Sequence, residues 1–229
     1  MLEVNKIYNA DCLELMKQLP DKCVDLVLTD VPYNIGMDGG KGWDKIENYE
    51  EWIYTIYSDI KRISKRSIIF FDYSYTKLFE SIDIPFERFI WHREGGFSGE
   101  FIKKGYEPFY LYGDNVINIP KIKNDYADTD DRLKPYKSVS NVWNIPNLVG
   151  KKLEKEPHPT QKPIKLFERC IYMASNENDL ILDCFSGSGT TAIACHNLNR
   201  NFICIEKDYD YWKASVERLE NAQAQQKLF

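Results

Sequence analysis

The sequence predicts an α/β protein built on a mostly parallel sheet with helices on both faces. Short runs of apolar residues alternate along the chain with segments that have the 3.6-residue period of a helix. One of the apolar runs leads into a glycine-rich turn and then into a helical segment. The composition, 43% hydrophobic, 14% aromatic and 28% charged residues, is that of an ordinary folded protein and excludes disordered, collagen-like and coiled-coil chains.

The elements follow one another in a regular order. Seven runs are typical of buried strands: Val4–Asn9, Val24–Asp30, Ser67–Asp72, Arg88–His92, Pro108–Tyr112, Leu180–Phe185 and Phe202–Glu206. Six segments have helical periodicity: Glu14–Leu19, Tyr49–Ile63, Tyr75–Ile82, Pro163–Ala174, with Pro163 suited to the first helical position, Gly189–Asn197 and Tyr209–Ala224. Residues 113–157 interrupt the alternation, and we expect an insertion of loops and short elements there.

Several classes of protein are excluded by what the sequence lacks. No apolar run approaches the ~20 residues of a membrane span, and the first residues lack the basic start and apolar stretch of a signal peptide. The six cysteines form no C-x-x-C pair, and the three histidines have no ligand-like spacing. We therefore expect a cytoplasmic protein with reduced thiols, no metal site and no membrane partner.

The net charge of −5 is unevenly distributed along the chain. Residues 1–102 carry −6 and residues 157–229 carry −1, whereas residues 103–156 carry +2. A protein that touches DNA with one face needs only a local basic surface, which this middle segment can supply. A solvated loop with a chance excess of lysine and arginine explains the same numbers.

A glycine-rich turn, D-C-F-S-G-S-G-T-T over residues 183–191, follows the strand that begins at Leu180. Glycines let the backbone approach a ligand closely, and the free N–H groups of a helix start attract negative groups. Glu206, about twenty residues further on at a strand end, can accept hydrogen bonds from a ribose diol. From Gly187 the run also satisfies G-x-G-x-x-A, so a nicotinamide or flavin nucleotide stays open, as does a tight turn without a ligand.

A second turn, Asp30-Val31-Pro32-Tyr33, follows the strand Val24–Asp30. A carboxylate beside a main-chain carbonyl at a strand end can accept both N–H groups of one exocyclic amine. The nitrogen held in this way directs its lone pair toward an electrophilic methyl group. Pro32 stiffens the turn, and Tyr33 offers a ring on which a planar base can stack. Taken alone, these four residues also fit an acidic turn with a buried tyrosine.

Four segments together resemble the DNA amino-methyltransferases, which use S-adenosylmethionine. D-x-F-x-G-x-G from Asp183 resembles their cofactor loop, and residues 30–33 resemble their D-P-P-Y motif with Val31 in place of the first proline. N-A-D-C at residues 9–12 resembles their acidic contact to the adenine amine of the cofactor, although Asp11 also suits a helix N-cap. H-P-T-Q-K-P at residues 158–163 is similar to the segment that the family places beside the methionine portion.

The order of these motifs, with the cofactor loop last, resembles the circularly permuted β group of the family. The resemblance implies one domain, 1–229, with a Rossmann-like, seven-stranded, mostly parallel sheet, the S-adenosylmethionine-dependent methyltransferase fold, and a target-recognition insertion at 113–157. The implied cofactor contacts are Asp11, Cys12, His158, Thr160, Lys162, Asp183, Phe185, Ser186, Gly187, Gly189, Thr190, Thr191 and Glu206.

The implied activity is methylation of an exocyclic amine in double-stranded DNA, as in bacterial restriction-modification. Asp30, Val31, Pro32 and Tyr33 are the implied catalytic residues, and they act on a base that has left the duplex stack. Aspartate at the first motif position favours adenine N6, with cytosine N4 as the alternative. Val31 motivates a second hypothesis, a DNA-binding protein of this fold that has lost catalysis. A nicotinamide-dependent oxidoreductase is the third, although no hydride-transfer acid or base accompanies the glycines.

Contacts with macromolecular partners are expected at two further places. Basic residues of the insertion can meet phosphates or base edges, namely Lys121, Lys123, Arg132, Lys134 and Lys137. The ending Q-x-x-L-F over residues 225–229 resembles peptides that dock into bacterial sliding clamps, and a frayed helix end is the alternative. A homodimer is left open.

Overall fold

The computed structural model describes residues 2–36, 42, 44–97, 104–123, 136–148 and 160–226. The strands in these ranges are β1 (Lys6–Asn9), β2 (Val24–Asp30), β3 (Ser64–Phe70), β4 (Glu87–Phe97), β5 (Lys104–Tyr112), β6 (Lys121–Lys123), β7 (Tyr136–Ser138), β8 (Val142–Asn144), β9 (Leu180–Asp183) and β10 (Asn201–Glu206). The α-helices are α1 (Cys12–Met16), α2 (Tyr49–Ile63), α3 (Thr76–Ile82), α4 (Ile164–Ala174), α5 (Thr190–Asn197) and α6 (Tyr209–Gln226), and a short 3₁₀ helix covers Tyr73–Tyr75.

Eight strands form one sheet in the order β1-β10-β9-β2-β3-β5-β4-β8. The first five of these strands run parallel to one another. β5 is antiparallel to both β3 and β4, and β8 runs parallel to β4 at the edge. β6 and β7 pair separately as a small antiparallel sheet. The predicted α/β class with a mostly parallel sheet is therefore confirmed.

The hydrophobic core lies on both faces of the sheet because side chains alternate along each strand. On β2, Leu26 and Leu28 pack with α4 and α5, whereas Val27 packs with α2 on the other face. α2 buries isoleucines at helical spacing, including Ile53, Ile56, Ile60 and Ile63. Each such side chain contributes about 1.5–3 kcal/mol when fully buried. This two-sided packing fixes where the strand ends lie, and the strand ends carry the loops of the site.

The structure differs from the sequence prediction in local details. The main sheet has eight strands among the described residues, not seven, because Val142–Asn144 of the predicted insertion adds an edge strand beside β4. α1 begins at Cys12, two residues earlier than predicted, because the Asp11 side chain caps it. Pro163 is the N-cap of α4 rather than its first helical residue. No helix in the described ranges is long and apolar enough to cross a lipid bilayer.

The topology creates a crevice between β2 and β9. From β9 the chain passes through α5 to β10 on one side, and from β2 it passes through α2 to β3 on the other. The two crossovers therefore diverge from neighbouring parallel strands, which pair through Leu26 with Ile181 and Val27 with Leu182. Ligands of open α/β sheets bind at the carboxyl ends of the strands where such crossovers diverge.

Candidate functional site

A cavity of about 410 Å³ opens at the carboxyl ends of β2 and β9. Beneath it the Thr29 hydroxyl donates to the Asp183 carboxylate at 2.8 Å, which joins residues 154 positions apart in the chain. The turn after β2 and the glycine turn after β9 both line the cavity. Its lining contains ten of the residues singled out from the sequence: Asp11, Cys12, Asp30, Val31, Pro32, Tyr33, Thr160, Phe185, Gly187 and Glu206.

The D-V-P-Y turn, Asp30 to Tyr33, is held by backbone hydrogen bonds. The Val31 N–H donates to the Phe70 carbonyl at 3.2 Å, which extends the pairing with β3 by one residue. The Tyr49 hydroxyl, at the start of α2, donates to the Pro32 carbonyl at 2.7 Å. Among the described residues no group donates to the Val31 carbonyl. This oxygen is therefore an available acceptor next to the Asp30 carboxylate.

Asp44 fixes the segment that follows the turn. Asn34 has a left-handed backbone conformation with φ 55°, which asparagine tolerates better than most residues. The Asp44 carboxylate is 1% exposed and accepts the N–H groups of Asn34 and Ile35 at 2.5 and 3.1 Å. The Asn34 side chain in turn accepts the Ile46 N–H at 2.8 Å. A buried carboxylate with two backbone donors holds this loop in one conformation.

Charged side chains surround Asp30 in a closed network. The Tyr33 hydroxyl lies 2.8 Å from Asp30 Oδ1 and 2.9 Å from Glu107 Oε2. The Lys162 ammonium lies 2.5 Å from Asp30 Oδ2 and 3.1 Å from both Glu107 Oε2 and the Tyr33 oxygen. The Arg93 guanidinium donates to Glu107 Oε1. The side chains of Lys162 and Glu107 are only 5% and 9% exposed, so the network is largely shielded from water.

Burial and neighbouring charges oppose each other in this network. Burial raises the pKa of Asp30, and the Lys162 ammonium reduces the shift without reversing it. Burial disfavours the charged form of Lys162, but Asp30 and Glu107 outweigh this effect and raise its pKa. Burial likewise disfavours the Glu107 carboxylate, but Lys162 and Arg93 outweigh it and lower the Glu107 pKa. The pKa values of the two carboxylates of the network therefore shift in opposite directions, upward for Asp30 and downward for Glu107.

Asp183 acts on the glycine turn from below. Its carboxylate accepts hydrogen bonds from the Thr29 hydroxyl, the Phe185 N–H and the Thr191 hydroxyl. Burial raises its pKa to about 6. Asp183 does not line the main cavity; it lines a small adjoining cavity of about 30 Å³. The side chain thus fixes the turn in position, and the contact with the cofactor that the resemblance implied stays a prediction.

Glu206 lies at the end of β10 and lines the main cavity. One carboxylate oxygen accepts the Gly187 N–H at 2.8 Å, and the other accepts the Asp208 N–H at 2.7 Å. Burial raises the pKa of Glu206 to about 7, against the effect of these two donors. Glu206 thereby ties the glycine turn to β10 and presents a carboxylate to the cavity.

Gly189 allows the glycine turn to pack closely against α6. Its φ is +75°, and a Cβ at this position would lie 2.9 Å from Ser215 Cβ in α6. Arg218 of the same helix donates to the Ser188 carbonyl at 2.8 Å. Gly189 and Thr191 line neither of the two described cavities, and Thr190 lines only the small one. Direct contact of Gly189 and Thr191 with the cofactor stays a prediction.

Ser186 offers a hydrogen-bonding group that the described residues do not use. Its side-chain oxygen is buried and has no partner among them. Ser186 lines the small cavity together with Thr160, which also lines the main one. Buried polar groups in proteins are normally paired, so this oxygen indicates a ligand with a polar group at that point. A cofactor with a nucleoside at Glu206 and an amino-acid portion at Ser186 fits this arrangement.

Asp11 has the capping role that the sequence left open, and it also lines the main cavity. Its Oδ1 accepts the Leu13 N–H at 3.0 Å as the N-cap of α1, its Oδ2 lies 3.0 Å from the Lys207 ammonium, and the residue lines the main cavity. Cys12 beside it is 7% exposed, and burial raises its pKa to about 12, so the thiol is neutral.

The remaining predicted residues fall into three groups. Of the two described cavities Lys162 lines the small one, and its ammonium points to Asp30, so its expected contact with the cofactor stays a prediction. Lys121 and Lys123 belong to β6, and Lys137 belongs to β7, so three expected DNA contacts share one small sheet. Outside the described residues lie His158, Arg132, Lys134 and the chain end at 227–229.

Sequence reasoning missed three residues that shape the site. Glu107 is a single acid in the otherwise apolar and aromatic run Gly105–Tyr112, and this was the signal that could have marked it. No comparable pattern in the sequence marks Asp44 or Tyr49. Asp44 accepts the N–H of Asn34 and Tyr49 donates to the carbonyl of Pro32, and both partners are backbone groups about ten or more positions earlier in the chain. Their contribution depends on the fold and not on a local motif.

Comparison with protein families and curated proteins gives consistent matches. The family model described as DNA methylase matches residues 24–217. DNA adenine methyltransferase YhdJ of Escherichia coli (strain K12) is 30% identical, over 96% of this chain and 84% of its own length. Type II methyltransferase M.HpaI of Haemophilus parainfluenzae is 31% identical, over 93% of this chain and 73% of its own.

Solved structures agree with these matches. The M1.HpyAVI-SAM complex has a TM-score of 0.66 and 28% sequence identity, and the match covers 93% of this chain and 99% of that one. PvuII DNA methyltransferase, described as cytosine-N4-specific, has a TM-score of 0.67 over 95% of this chain and 90% of its own. Its identity is 20%, so this second likeness concerns the fold alone.

Proposed function

The chain belongs to the DNA methylase family of S-adenosylmethionine-dependent methyltransferases, and we propose that its target is the N6 amine of adenine in double-stranded DNA. One observation carries the proposal: the D-V-P-Y turn and the glycine turn line the same cavity. Aspartate at the first position of the D-V-P-Y turn and the 30% identity to an adenine methyltransferase favour adenine over cytosine.

The D-V-P-Y turn acts by gripping the amine. The Asp30 carboxylate and the Val31 carbonyl each accept one N–H, so the lone pair of the nitrogen turns out of the plane of the base. Valine serves here because the acceptor is a main-chain oxygen. The hydrogen bonds from Val31 to Phe70 and from Tyr49 to Pro32 supply rigidity that the missing proline would have given. This support argues against the hypothesis of a chain that has lost catalysis.

The cofactor would be held along the main cavity. Glu206 would accept the ribose hydroxyls, Asp11 would accept the adenine amine, and the polar groups of Thr160 and Ser186 would receive the amino-acid portion. When bound, S-adenosylmethionine supplies an electrophilic methyl group on a sulfonium. Phe185 lines the cavity and packs against Trp52, with ring centroids 5.5 Å apart.

Recognition of the DNA is assigned to residues 113–157. The small sheet of β6 and β7 carries Lys121, Lys123 and Lys137, and lysines contact phosphates or base edges. The target adenine leaves the duplex stack to reach Asp30, at a cost of about a few kcal/mol, and the Tyr33 ring lies at the cavity to receive it.

Native long-read sequencing of DNA from cells that express the protein tests the proposal. We expect N6-methyladenine in one recurring sequence context with the wild-type chain, and none with Asp30→Ala. The variant should still bind S-adenosylmethionine in calorimetry. Methylation at cytosine N4 would contradict the adenine assignment. Cofactor binding without any methylation of DNA would support a chain without catalysis, and binding of NAD alone would support an oxidoreductase.

Two expectations about partners complete the proposal. A homodimer is tested by light scattering of the purified protein across a range of concentrations. Docking of residues 225–229 to a bacterial sliding clamp is tested by a pull-down, in which deletion of those five residues should abolish capture. Unchanged capture would contradict the docking.

A further inference from the structure

The ammonium group of Lys162 is fully committed to the catalytic turn. Such a group has three N–H donors. Lys162 has three acceptors: Asp30 Oδ2 at 2.5 Å, and Glu107 Oε2 and the Tyr33 oxygen at 3.1 Å each. This set accounts for every donor of the side chain, so its chemistry is directed at Asp30 and Tyr33.

Glu107 holds the ammonium from the side of β5. Glu107 is 7% exposed, and the Arg93 guanidinium of β4 donates a hydrogen bond to its second carboxylate oxygen. The four groups therefore alternate in charge from Arg93 to Glu107, Lys162 and Asp30. Removal of one member from such a buried row leaves a neighbouring charge without its partner, which is costly in a poorly solvated site.

We propose that Glu107 and Lys162 are positioning residues for methyl transfer: Glu107 anchors Lys162, and Lys162 keeps the Asp30 carboxylate charged and oriented toward the amine. The inference rests on the proposed function, since it assigns a task to groups around the carboxylate that grips the base. A protonated Asp30 would present a hydroxyl in place of one acceptor oxygen, and it would grip the amine poorly.

The groups that face Asp30 come from five places in the fold. Tyr33 belongs to the same turn, Lys162 precedes α4 and Glu107 lies on β5. Asp183 on β9 and Tyr49 on α2 also interact electrostatically with Asp30. Lys162 is the cation that contacts Asp30 in the described part of the chain, so its removal should shift the balance toward the protonated acid.

Single-turnover methyl transfer, measured from pH 5.5 to 9 with labelled S-adenosylmethionine and a duplex that carries the sequenced target context, tests this assignment. Lys162→Met should move the acidic limb of the profile up by about one pH unit or more, since a neighbouring cation lowers a carboxyl pKa by that amount. The rate near pH 7 should fall at least about tenfold and recover partly at higher pH. Lys162→Arg should restore part of the wild-type profile.

Glu107→Gln should behave differently. Loss of one negative neighbour does not favour protonation of Asp30, so the acidic limb should stay or move down. The rate should fall several-fold at every pH because Lys162 and Tyr33 lose a charged acceptor. Lys165→Met on the exposed face of α4 and Glu80→Gln, whose partner is Arg88, are the matched controls and should leave the profile unchanged.

Folding and cofactor binding are followed by circular dichroism and calorimetry on every variant. A Lys162→Met protein that folds, binds S-adenosylmethionine and keeps the wild-type acidic limb would overturn the inference. A Glu107→Gln protein that folds, binds S-adenosylmethionine and transfers methyl groups at the wild-type rate would overturn the anchoring role of Glu107. If Lys162→Met does not fold, the pH–rate profiles of Lys162→Arg and Glu107→Gln test the inference. Profiles identical to wild type in both variants would overturn it. A wild-type chain that transfers no methyl group to DNA would instead contradict the proposed function.

Discussion

Tyr49 and Tyr57 lie two turns apart on α2, and each hydroxyl has one polar partner. Tyr49 donates to the Pro32 carbonyl at 2.7 Å, whereas Tyr57 donates to Asp83 at 3.0 Å, away from the cavity. Tyr49→Phe should lower the rate of methyl transfer about fivefold, because a hydrogen bond of roughly 1 kcal/mol that fixes the D-V-P-Y turn is lost. Affinity for S-adenosylmethionine should stay unchanged.

Tyr57→Phe is the matched control for this prediction. It removes the same atom from the same helix and should leave the rate within about twofold of wild type. Equal rates for Tyr49→Phe and Tyr57→Phe would show that the Pro32 contact does not limit the reaction. The measurement is single-turnover methyl transfer at saturating cofactor.

Glu206 should make cofactor affinity depend on pH. Burial raises its folded-state pKa to about 7, so the carboxylate is ionised above this value and protonated below it. Only the ionised form can accept hydrogen bonds from two ribose hydroxyls as well as from Gly187 and Asp208. The Kd for S-adenosylmethionine should therefore rise about tenfold between pH 8 and pH 6.

Calorimetry of Glu206→Gln assigns this pH dependence. The variant should bind more weakly at pH 8 and show a flat profile between pH 6 and 8. A retained slope in the variant would point to another group, such as Asp183 with its pKa of about 6, and would refute the role of Glu206.

At the scale of single residues, the sequence reveals groups that belong to a contiguous motif and misses those that act across the sheet. Asp30, Tyr33 and Glu206 could be predicted because strand ends and turn residues mark them. Glu107 could not be connected to Asp30, because β5 reaches β2 only through β3 and antiparallel pairing. The contact of Lys162 with Asp30 could not be predicted either, because the two residues lie 132 positions apart in the chain.

At the scale of elements, the close contact between the glycine turn and α6 predicts that position 189 does not tolerate a side chain. Gly189→Ala adds strain from a positive φ and a Cβ 2.9 Å from Ser215 Cβ. It should lower the free energy of unfolding by about 2–4 kcal/mol, since left-handed strain costs roughly 1–2 kcal/mol and overpacking about as much again.

Gly36→Ala separates the two causes. Gly36 has a nearly equal φ of +74°, and no atom lies within 4 Å of a Cβ placed there. It should therefore lose only the strain, about 1–2 kcal/mol in urea unfolding. Equal losses in the two variants would contradict a packing role for Gly189.

The elements themselves follow closely from periodicity where they are long. β2 and α2 have the bounds that the sequence predicts, because buried apolar residues recur along each of them with a clear pattern. The three-residue strands β6, β7 and β8 were not predicted, since such short segments show no period and depend on an available sheet edge or partner. The predicted insertion therefore contains more regular structure than its composition indicates.

At the scale of the whole molecule, a net charge of −5 must coexist with binding to a polyanion. We expect the small sheet of β6 and β7 to provide local positive charge. Replacement of Lys121, Lys123 and Lys137 by glutamine should weaken DNA binding at 50 mM salt and reduce the slope of log K against log salt by up to about three.

A second set of lysines controls for the change in total charge. Lys17, Lys61 and Lys65 lie near the amino ends of β2 and β3, whereas the cavity lies at the carboxyl ends of the strands. Their joint replacement by glutamine should leave the salt slope within experimental error. Fluorescence anisotropy of a labelled duplex measures both proteins, and equal slopes would contradict DNA contact through the small sheet.

The bond between Thr29 and Asp183 spans 154 positions of the chain, and this has a consequence for synthesis on the ribosome. The D-V-P-Y turn leaves the exit tunnel long before β9, which forms the other side of the crevice, has been synthesised. A polypeptide that is released before β9 is made contains only one of the two turns that line the cavity. We therefore expect it to have no residual methyltransferase activity. Premature termination of translation should thus yield inactive fragments, so that only full-length chains methylate DNA.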